Sequence, residues 1–364
     1  GNLRLNGPEA DHALTFIPDH SMGAVQSRGV EKPSRVTYRQ RPDYREAMGA
    51  FIWEADPALH PDNFVGDLAV HWLNEWRGDD PFFLQIGLPG PHPPYDPTPD
   101  WLARYEGKVL PAAIRDYDLD TQPAPLCALR EHHADTDHDG VVHLRKPTDA
   151  QLHRQRAHYY ANVSMIDAQV GNILSALEAR GVLDDTIVIF TSDHGDCLND
   201  HGHIQKWTMY EASVHVPALV WAPGRVVPQR VAGLTSLFDF GPTILEYAGV
   251  SPPDWMEAKS LQPLLSGEGN ATREAVFAEH ANDMILDATE FVSMVRTERW
   301  KLVMFLGSAE GQLFDMQADP KERDNLWDLA EHRSIRDNLV RDLADWRIRS
   351  AKRSQGFLYE LVGV

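Results

Sequence analysis

Apolar residues recur at helical spacing in two long segments of the chain. Over residues 64–76 they fall three and four positions apart, and the same period runs through residues 149–180. This spacing predicts two amphipathic helices that pack against a core. Each segment is followed by a short, continuous apolar run, over residues 82–88 and 186–190, and a similar run covers residues 218–221. Runs of this kind predict strands that are buried on both faces.

Helices that alternate with fully buried strands are typical of a mainly parallel sheet sandwiched by helices. After about residue 270 the pattern changes to short strands, over residues 275–279, 291–296 and 301–306, and a final helix over residues 326–349. The sequence therefore predicts an α/β domain over residues 1–270 and a small α+β domain over residues 271–364. Residues 111–147, which are polar, acidic and rich in proline, are predicted to form a long surface excursion.

Composition narrows the choice of partners and compartment. The chain of 364 residues contains 34 Lys and Arg against 54 Asp and Glu, a net charge of −20 that would repel a nucleic-acid backbone. No apolar run approaches the roughly 18 residues of a membrane helix.

Cys127 and Cys197 are too few and too far apart for a disulfide framework, which favours a cytoplasmic protein. The chain lacks an initiator Met and a signal-peptide pattern, so we interpret it as part of a longer gene product.

The residues that can carry chemistry cluster where the strand over residues 186–190 ends. Asp193 and His194 lie side by side there, and Gly195 permits a tight turn. A carboxylate next to an imidazole suits a divalent cation. Lys206 follows thirteen positions after Asp193. A metal ion and an ammonium group that converge on one pocket would neutralise an oxyanion.

Several motifs in a fixed order resemble those of the sulfatase family, within the alkaline-phosphatase-like superfamily. The resemblance spans roughly residues 82–326, and a series of motifs in order is far more specific than any one of them. The matching motifs are Pro91-His92-Pro93-Pro94, Ser192-Asp193-His194-Gly195, Lys206 with Tyr210-Glu211, Val216-Pro217, and Leu313-Phe314-Asp315.

The resemblance implies a role for each matched polar residue. Asp193 and His194 would be ligands of one divalent metal ion, Ca²⁺ or Mn²⁺. Lys206 would contact the sulfate group. His92, on the proline-rich loop after the strand over residues 82–88, would either contact the sulfate or donate a proton to the leaving oxygen.

The chain also departs from the family pattern. The family's opening strand with two adjacent Asp ligands is absent, and so is Cys-x-Pro-Ser-Arg, whose Cys becomes the formylglycine nucleophile. Residues 31–35, Glu-Lys-Pro-Ser-Arg, imitate the second motif with Glu in place of Cys, and we interpret this match as accidental. Asn2 and Arg4 stand where the family's Gly-Lys-x-His segment supplies Lys and His to the sulfate. The nucleophile is therefore expected upstream of residue 1, and this chain alone is expected to lack it.

A second acidic motif requires a separate interpretation. Asp135-x-Asp137-x-Asp139-Gly140 follows the opening of a calcium-binding loop. Lys146 occupies the position that requires a bidentate Glu, and no helical pattern adjoins the loop. A calcium site is therefore not expected at these residues.

The sequence predicts a metal-dependent sulfuric ester hydrolase that acts on a small-molecule sulfate ester, with neither nucleic acid nor a membrane as partner. The sequence does not decide whether the chain forms a homo-oligomer. One alternative is a phosphodiester or phosphonate monoester hydrolase of the same superfamily, because phosphoryl oxygens would meet the same cations. Another is a non-catalytic homologue that only binds an anion or a partner, which the missing nucleophile and the residues Asn2 and Arg4 favour.

Overall fold

The computed structural model describes residues 2–4, 14–16, 25, 27–29, 31–76, 78, 80–269, 273–281 and 285–362, with the backbone alone for 2–4, 14–16 and 355–362. The α-helices are α1 (Arg35–Arg39), α2 (Tyr44–Ala47), α3 (Pro61–Glu75), α4 (Pro99–Leu102), α5 (Ala124–Asp135), α6 (Asp149–Ala179), α7 (Glu211–Val214), α8 (Phe240–Tyr247), α9 (Gln262–Leu265) and α10 (Arg333–Val362). Short 3₁₀ helices cover Pro57–Leu59, Ala103–Tyr105, Leu119–Thr121, His138–Gly140, Leu183–Asp185, Asp200–Gly202, Leu237–Asp239 and Ala330–His332.

The strands of the described chain form three antiparallel sheets. The strands are β1 (Asn2–Arg4), β2 (Leu14–Phe16), β3 (Val188–Thr191), β4 (Ala218–Trp221), β5 (Ala275–Ala281), β6 (Phe291–Thr297), β7 (Trp300–Phe305) and β8 (Gly311–Asp315). β1 pairs with β2, β3 pairs with β4, and the last four strands form a sheet in the order β5-β6-β7-β8.

The chain divides into two compact units. The first comprises residues 1–113 and 133–186, and the second comprises residues 114–132 and 187–364. The second unit therefore contains β3 and β4 as well as the four-stranded sheet. The domain boundary after residue 270 stays a prediction, because these units group residues by contact rather than by function.

Two long helices form the framework of the first unit, as their apolar spacing predicts. α3 begins at Pro61. Proline fits this position because the backbone N–H of a first-turn residue has no partner within the helix. The His60 side chain accepts from the Asp62 N–H. α6 begins with a capping box between Thr148 and Gln151. Leu73 of α3 packs in one cluster with Ala176 and Leu177 of α6. None of the described helices is both long enough and apolar enough to cross a membrane.

The apolar run over residues 82–88 forms no ladder with any described residue, although it has the burial pattern of a strand. Its side chains alternate between half-buried and exposed positions, a period of two. Leu84, Ile86 and Leu88 pack against Val65 of α3. The segment thus contributes one face to the core, and the prediction of a strand buried on both faces is wrong.

The four-stranded sheet of the second unit has an apolar cluster on each face. Side chains such as Met294 and Phe314 meet Leu126 of α5 and Trp207 in one cluster. Val295, on the opposite face, packs with Leu339 and other residues of α10. This alternation along each strand fixes the register, since a slip of one residue would reverse both faces. The loop that contains Trp207 is therefore held against one face of the sheet.

The structure corrects the predicted surroundings of β3 and β4. The two strands lie where the apolar runs predict them, but they pair antiparallel, with Val188 opposite Trp221. Neither strand is buried on both faces, and the Leu219 side chain is 58% exposed. The apolar runs therefore predicted the strands correctly, but the described chain does not cover both of their faces.

The sequence also missed helix α5, which lies within the predicted surface excursion over residues 111–147. Leu126 and Leu129 of this helix are fully buried in the core of the second unit. Its apolar positions are few and its polar residues many, so periodicity gave no signal.

The final helix begins at Arg333, seven residues after the predicted start, because the Leu326 N–H donates to the Leu313 carbonyl instead of entering a helix.

We expect the free energy of unfolding to decrease as the pH falls from 6.5 to 4. Burial lowers the pKa of His158 in the first unit and of His201 in the second to about 4. An unfolded histidine titrates near pH 6.5, so between these values the unfolded chain binds protons that the folded chain rejects. Each residue should cost about 1.4 kcal/mol per pH unit in this window.

Urea unfolding at pH 7 and pH 5 measures this dependence, and His158→Gln should remove the contribution of the first unit. Equal unfolding free energies at the two pH values would contradict the burial of neutral imidazoles.

Candidate active site

Asp193 and His194 lie in the turn that follows β3. The His194 backbone N–H donates to Asp193 Oδ1 (2.9 Å), and the Ser192 hydroxyl donates to the His194 carbonyl (2.9 Å). His194 Nδ1 lies 2.8 Å from the Gly195 carbonyl and must carry the proton there, because a carbonyl only accepts. The lone pair of Nε2 is therefore available, 3.4 Å from Asp193 Oδ2. The His194 side chain is 35% exposed and the Asp193 side chain is 83% exposed.

This pair of donor atoms fits one divalent cation. Donors bound about 2 Å from a metal ion lie about 3 Å apart, close to the observed spacing of the Asp193 and His194 atoms. The hydrogen bond at Nδ1 fixes the tautomer that binds metals through Nε2. Within the described residues, however, no third His, Cys, Asp or Glu joins this pair. The described residues therefore place two donor atoms here that could bind a cation.

Gly195 and Ser213 connect the turn to the segment that contains Lys206. The Gly195 N–H donates to the Ser213 carbonyl (2.7 Å), and a Cβ at Gly195 would collide with the Ala212 carbonyl oxygen. The buried Ser213 hydroxyl donates to the Lys206 carbonyl (3.1 Å). Lys206 is half-buried, and among the described residues its ammonium group has no carboxylate within ion-pair distance. A cation with no carboxylate partner among the described residues thus lies on the segment tied to the Asp193 turn.

A buried charge network anchors the end of the same segment. Lys301 Nζ, which is fully buried, lies 3.0 Å from Glu211 Oε1 and 2.7 Å from Glu322 Oε1. Glu322 also accepts from the Glu211 backbone N–H (2.7 Å). Burial opposes ionisation of Glu211, but a hydrogen bond from His215 and the charge of Lys301 outweigh it and lower the pKa of Glu211 to about 2. Burial raises the pKa of Glu322, although Lys301 opposes the shift.

His92 belongs to the first unit, on the loop after residues 82–88. Its Nδ1 lies 2.8 Å from the Pro93 carbonyl, and its Nε2 lies 3.7 Å from Asp139 Oδ2. The backbone of the loop is held by buried Asp62, whose Oδ1 accepts from the Gly90 N–H (2.7 Å). A Cβ at Gly90 would collide with the Asp62 carboxylate, so the close approach requires glycine.

Asn2 and Arg4 also belong to the first unit. Their backbones lie in β1, where Asn2 is opposite Phe16 and Arg4 is opposite Leu14. Their side chains are outside the described residues, so their contacts to the substrate stay predictions.

The carboxylates of the acidic motif over residues 135–140 face cations and a phenol. Asp137 accepts from Arg39 and from the Tyr44 hydroxyl, and Asp135 pairs with Arg145. Asp139 forms an ion pair with Arg35 (2.6 Å). The motif therefore ties α1 and α2 to this loop.

Sequence reasoning missed three groups near the predicted site residues: Ser213, the Lys301 network, and Asp139 beside His92. Tyr210-Glu211 stood out as a motif, but no pattern links Glu211 to Lys301, which lies 90 positions away. The Asp139 segment resembles a calcium loop through the spacing of its Asp residues, and this spacing does not indicate that Asp139 lies beside His92.

The Sulfatase family model matches residues 19–250, nearly two-thirds of the chain. The chain belongs to the sulfatase family. A second family model, N-sulphoglucosamine sulphohydrolase, C-terminal, matches residues 199–349. The family membership predicted from the motif order is confirmed.

Curated relatives extend this comparison. The chain is 30% identical over 304 residues to an arylsulfatase of Clostridium perfringens, covering 80% of this chain and 59% of that protein. It is 34% identical over 274 residues to arylsulfatase K of Mus musculus, covering 71% of this chain and 49% of the relative. The chain thus spans about half the length of the curated relatives it matches.

Solved structures confirm the predicted fold class, an alkaline-phosphatase-like α/β fold with a smaller C-terminal sheet domain. The phosphonate monoester hydrolase of Agrobacterium radiobacter aligns with a TM-score of 0.76 at 25% identity, over 91% of this chain and 69% of that chain. Among the described residues every ladder is antiparallel, so the predicted parallel pairing is not seen there, although the fold class is confirmed.

Proposed function

We propose that this chain is part of a metal-dependent sulfuric ester hydrolase, which cleaves a sulfate monoester to an alcohol or phenol and sulfate. Membership of the sulfatase family and similarity to arylsulfatases support the reaction. The single structural observation that carries the proposal is Lys206. A half-buried lysine without a carboxylate partner in the described chain, tied through Ser213 to the Asp193 turn, suits an anionic substrate.

Asp193 and His194 would hold the divalent cation, Ca²⁺ or Mn²⁺. The lone pair at His194 Nε2 and the neighbouring Asp193 carboxylate fit this role. A nitrogen donor favours Mn²⁺ more than a site made only of oxygen atoms would. When bound, the cation would polarise the sulfate oxygens and hold an oxygen nucleophile.

The other residues act on the two ends of the ester. Lys206 would offset the charge of the sulfate group as the ester bond breaks. Asn2 and Arg4 are proposed as substrate contacts. His92 would assist departure of the alcohol or phenol oxygen.

The nucleophile is proposed to come from outside this chain. Cys197 is fully buried, its Sγ lies 3.2 Å from Thr208 Oγ1, and burial raises the pKa of its thiol. A thiol in this state is a poor nucleophile and is inaccessible to substrate. Cys197 is therefore no substitute for the family's Cys-x-Pro-Ser-Arg cysteine, which the sequence does not contain.

Hydrolysis of a phosphodiester or a phosphonate monoester is the second candidate function. The alignment with a phosphonate monoester hydrolase favours it. Phosphoryl and sulfuryl groups present similar oxygens to the same cations, so the reactive group must be identified by assay.

The test compares an aryl sulfate, an aryl phosphodiester and an aryl phosphonate monoester as substrates. Each is assayed with this chain and with the full gene product, before and after removal of metal by a chelator. We expect chelator-sensitive hydrolysis by the full product, fastest on the sulfate, and none by the chain alone. Preference for a phosphorus ester would favour the second candidate. Binding of sulfate without turnover by the full product would favour a non-catalytic homologue, and turnover by the chain alone would overturn the proposed origin of the nucleophile.

We expect His194→Ala to lower the affinity for Mn²⁺ about tenfold or more, because it removes one of the two donors on the turn. Titration calorimetry and elemental analysis of the full product measure the change. His71→Ala, at an exposed position of α3, is the matched control and should bind metal normally. A normal metal content in His194→Ala would show that the ligand assignment is wrong.

A further inference from the structure

Both ring nitrogens of His92 face oxygen atoms. Nδ1 lies 2.8 Å from the Pro93 carbonyl, which can only accept, so a proton belongs on Nδ1. Nε2 lies 3.7 Å from Asp139 Oδ2. With Nδ1 occupied by the backbone, Nε2 is the ring atom that can reach a substrate.

Asp139 is held firmly at this position. Its Oδ1 forms an ion pair with Arg35 Nη1 at 2.6 Å, which leaves Oδ2 directed to His92. Arg35 is the first residue of α1, whose start is fixed by a capping box between Ser34 and Thr37. Asp139 itself has a left-handed backbone conformation, with φ of 56°. This conformation is uncommon for a residue with a side chain.

The distance between Asp139 and His92 determines what the carboxylate can do. At 3.7 Å the two groups are too far apart for a hydrogen bond but close enough for electrostatic attraction. A carboxylate there attracts the edge of the ring that carries Nε2 without closing a hydrogen bond to it. Nε2 therefore stays open to a third group that approaches it.

We propose that Asp139, clamped by Arg35, is a positioning residue that orients the His92 ring so that Nε2 faces the leaving oxygen, to which it delivers a proton. This inference rests on the proposed function and decides between its two roles for His92 in favour of the proton donor.

The step is a sulfuryl transfer with general-acid assistance. An incoming oxygen nucleophile forms a bond to sulfur while the bond from sulfur to the ester oxygen breaks. The electron pair of the broken bond remains on the ester oxygen, which takes the proton from His92 Nε2. The products of this step are the free alcohol or phenol, a sulfated nucleophile and neutral His92. Asp139 takes no part in the proton transfer and touches neither the sulfate nor the leaving group.

The experiment uses the full gene product and two aryl sulfates, one with a nitrophenol leaving group and one with an unactivated phenol. A general acid contributes about 10²- to 10⁴-fold when the leaving group is poor and far less when it is good. We expect Asp139→Asn to lower kcat for the phenyl sulfate about tenfold or more and to change kcat for the nitrophenyl sulfate little. His92→Ala should show the same pattern with a larger loss.

Two further variants separate positioning from stability. Asp137→Asn changes a carboxylate in the same loop that contacts Arg39 and Tyr44, and it should affect both substrates equally. Arg35→Met removes the clamp but keeps the carboxylate, and it should give a smaller loss with the same dependence on leaving group. The double variant of His92→Ala and Asp139→Asn should lose no more than His92→Ala alone, since Asp139 acts through His92.

The outcomes distinguish the two proposals. If His92→Ala depends on the leaving group but Asp139→Asn behaves as the wild type, the positioning role is overturned and the proposed function stands. Equal losses on both substrates for Asp139→Asn, matching those of Asp137→Asn, would mean a structural role only and would also overturn the inference. If the wild-type product hydrolyses neither sulfate, the proposed function fails and this inference fails with it.

Discussion

Replacement of Lys206 with alanine is expected to lower kcat/KM of the full gene product for an aryl sulfate about a hundredfold or more. Loss of a charge-stabilising group of this kind commonly costs about 3 kcal/mol of transition-state stabilisation. Lys206 is half-buried, and no carboxylate of the described chain pairs with it, so we expect its charge to act on the substrate. The Ser213 hydroxyl fixes the backbone of Lys206 next to the Asp193 turn.

Lys206→Arg should recover only part of the activity, because a planar guanidinium replaces a compact ammonium. Lys321→Ala, at an exposed position, is the matched control and should leave kcat/KM unchanged. Thermal unfolding of each variant excludes a loss that arises from instability. A stable Lys206→Ala variant with normal activity would show that Lys206 is only a surface cation.

Replacement of Lys301 with methionine is expected to lower the free energy of unfolding by about 3 to 5 kcal/mol, the usual effect of removing one partner of a buried ion pair. Lys301 is fully buried and is shared by Glu211 and Glu322, of which Glu322 is itself only 3% exposed. Without the ammonium, buried carboxylate charge would remain uncompensated. Glu211 begins α7, so the change would also loosen the segment that contains Lys206 and Ser213.

Urea unfolding of the chain measures this loss. Arg299→Ala is the control, because the Arg299 side chain that pairs with Asp315 is 55% exposed, and exposed ion pairs contribute little to stability. Addition of Glu322→Gln to Lys301→Met should restore part of the stability, since it removes one of the unpaired charges. Equal losses for Lys301→Met and Arg299→Ala would contradict the view that the network anchors this segment.

Local patterns predicted the positions of most long elements. The apolar spacing of α3 and α6 and the apolar runs of β3 and β4 lie within a few residues of the observed bounds. The partners of the strands were harder to predict, because an apolar run signals burial but not the direction of its neighbour. Helix α5 escaped detection because its two core leucines are too few to produce a periodic signal.

In the candidate site too, residues close in sequence could be predicted and contacts between distant residues could not. Asp193, His194 and Lys206 are close in sequence, so their types and spacing could be interpreted directly. The links of Lys301 to Glu211 and of Asp139 to His92 join residues far apart in the chain. Such contacts follow from tertiary packing and leave no local pattern, so only the structure identifies them.

The proposed cation at Asp193 and His194 is tested most directly by an anomalous difference map. Crystals of the full gene product grown with Mn²⁺ would be measured on both sides of the manganese absorption edge. We predict a peak about 2 Å from both His194 Nε2 and the Asp193 carboxylate, a peak that disappears in His194→Ala. A manganese peak elsewhere in the molecule, with none at these two residues, would contradict the assignment of the metal site.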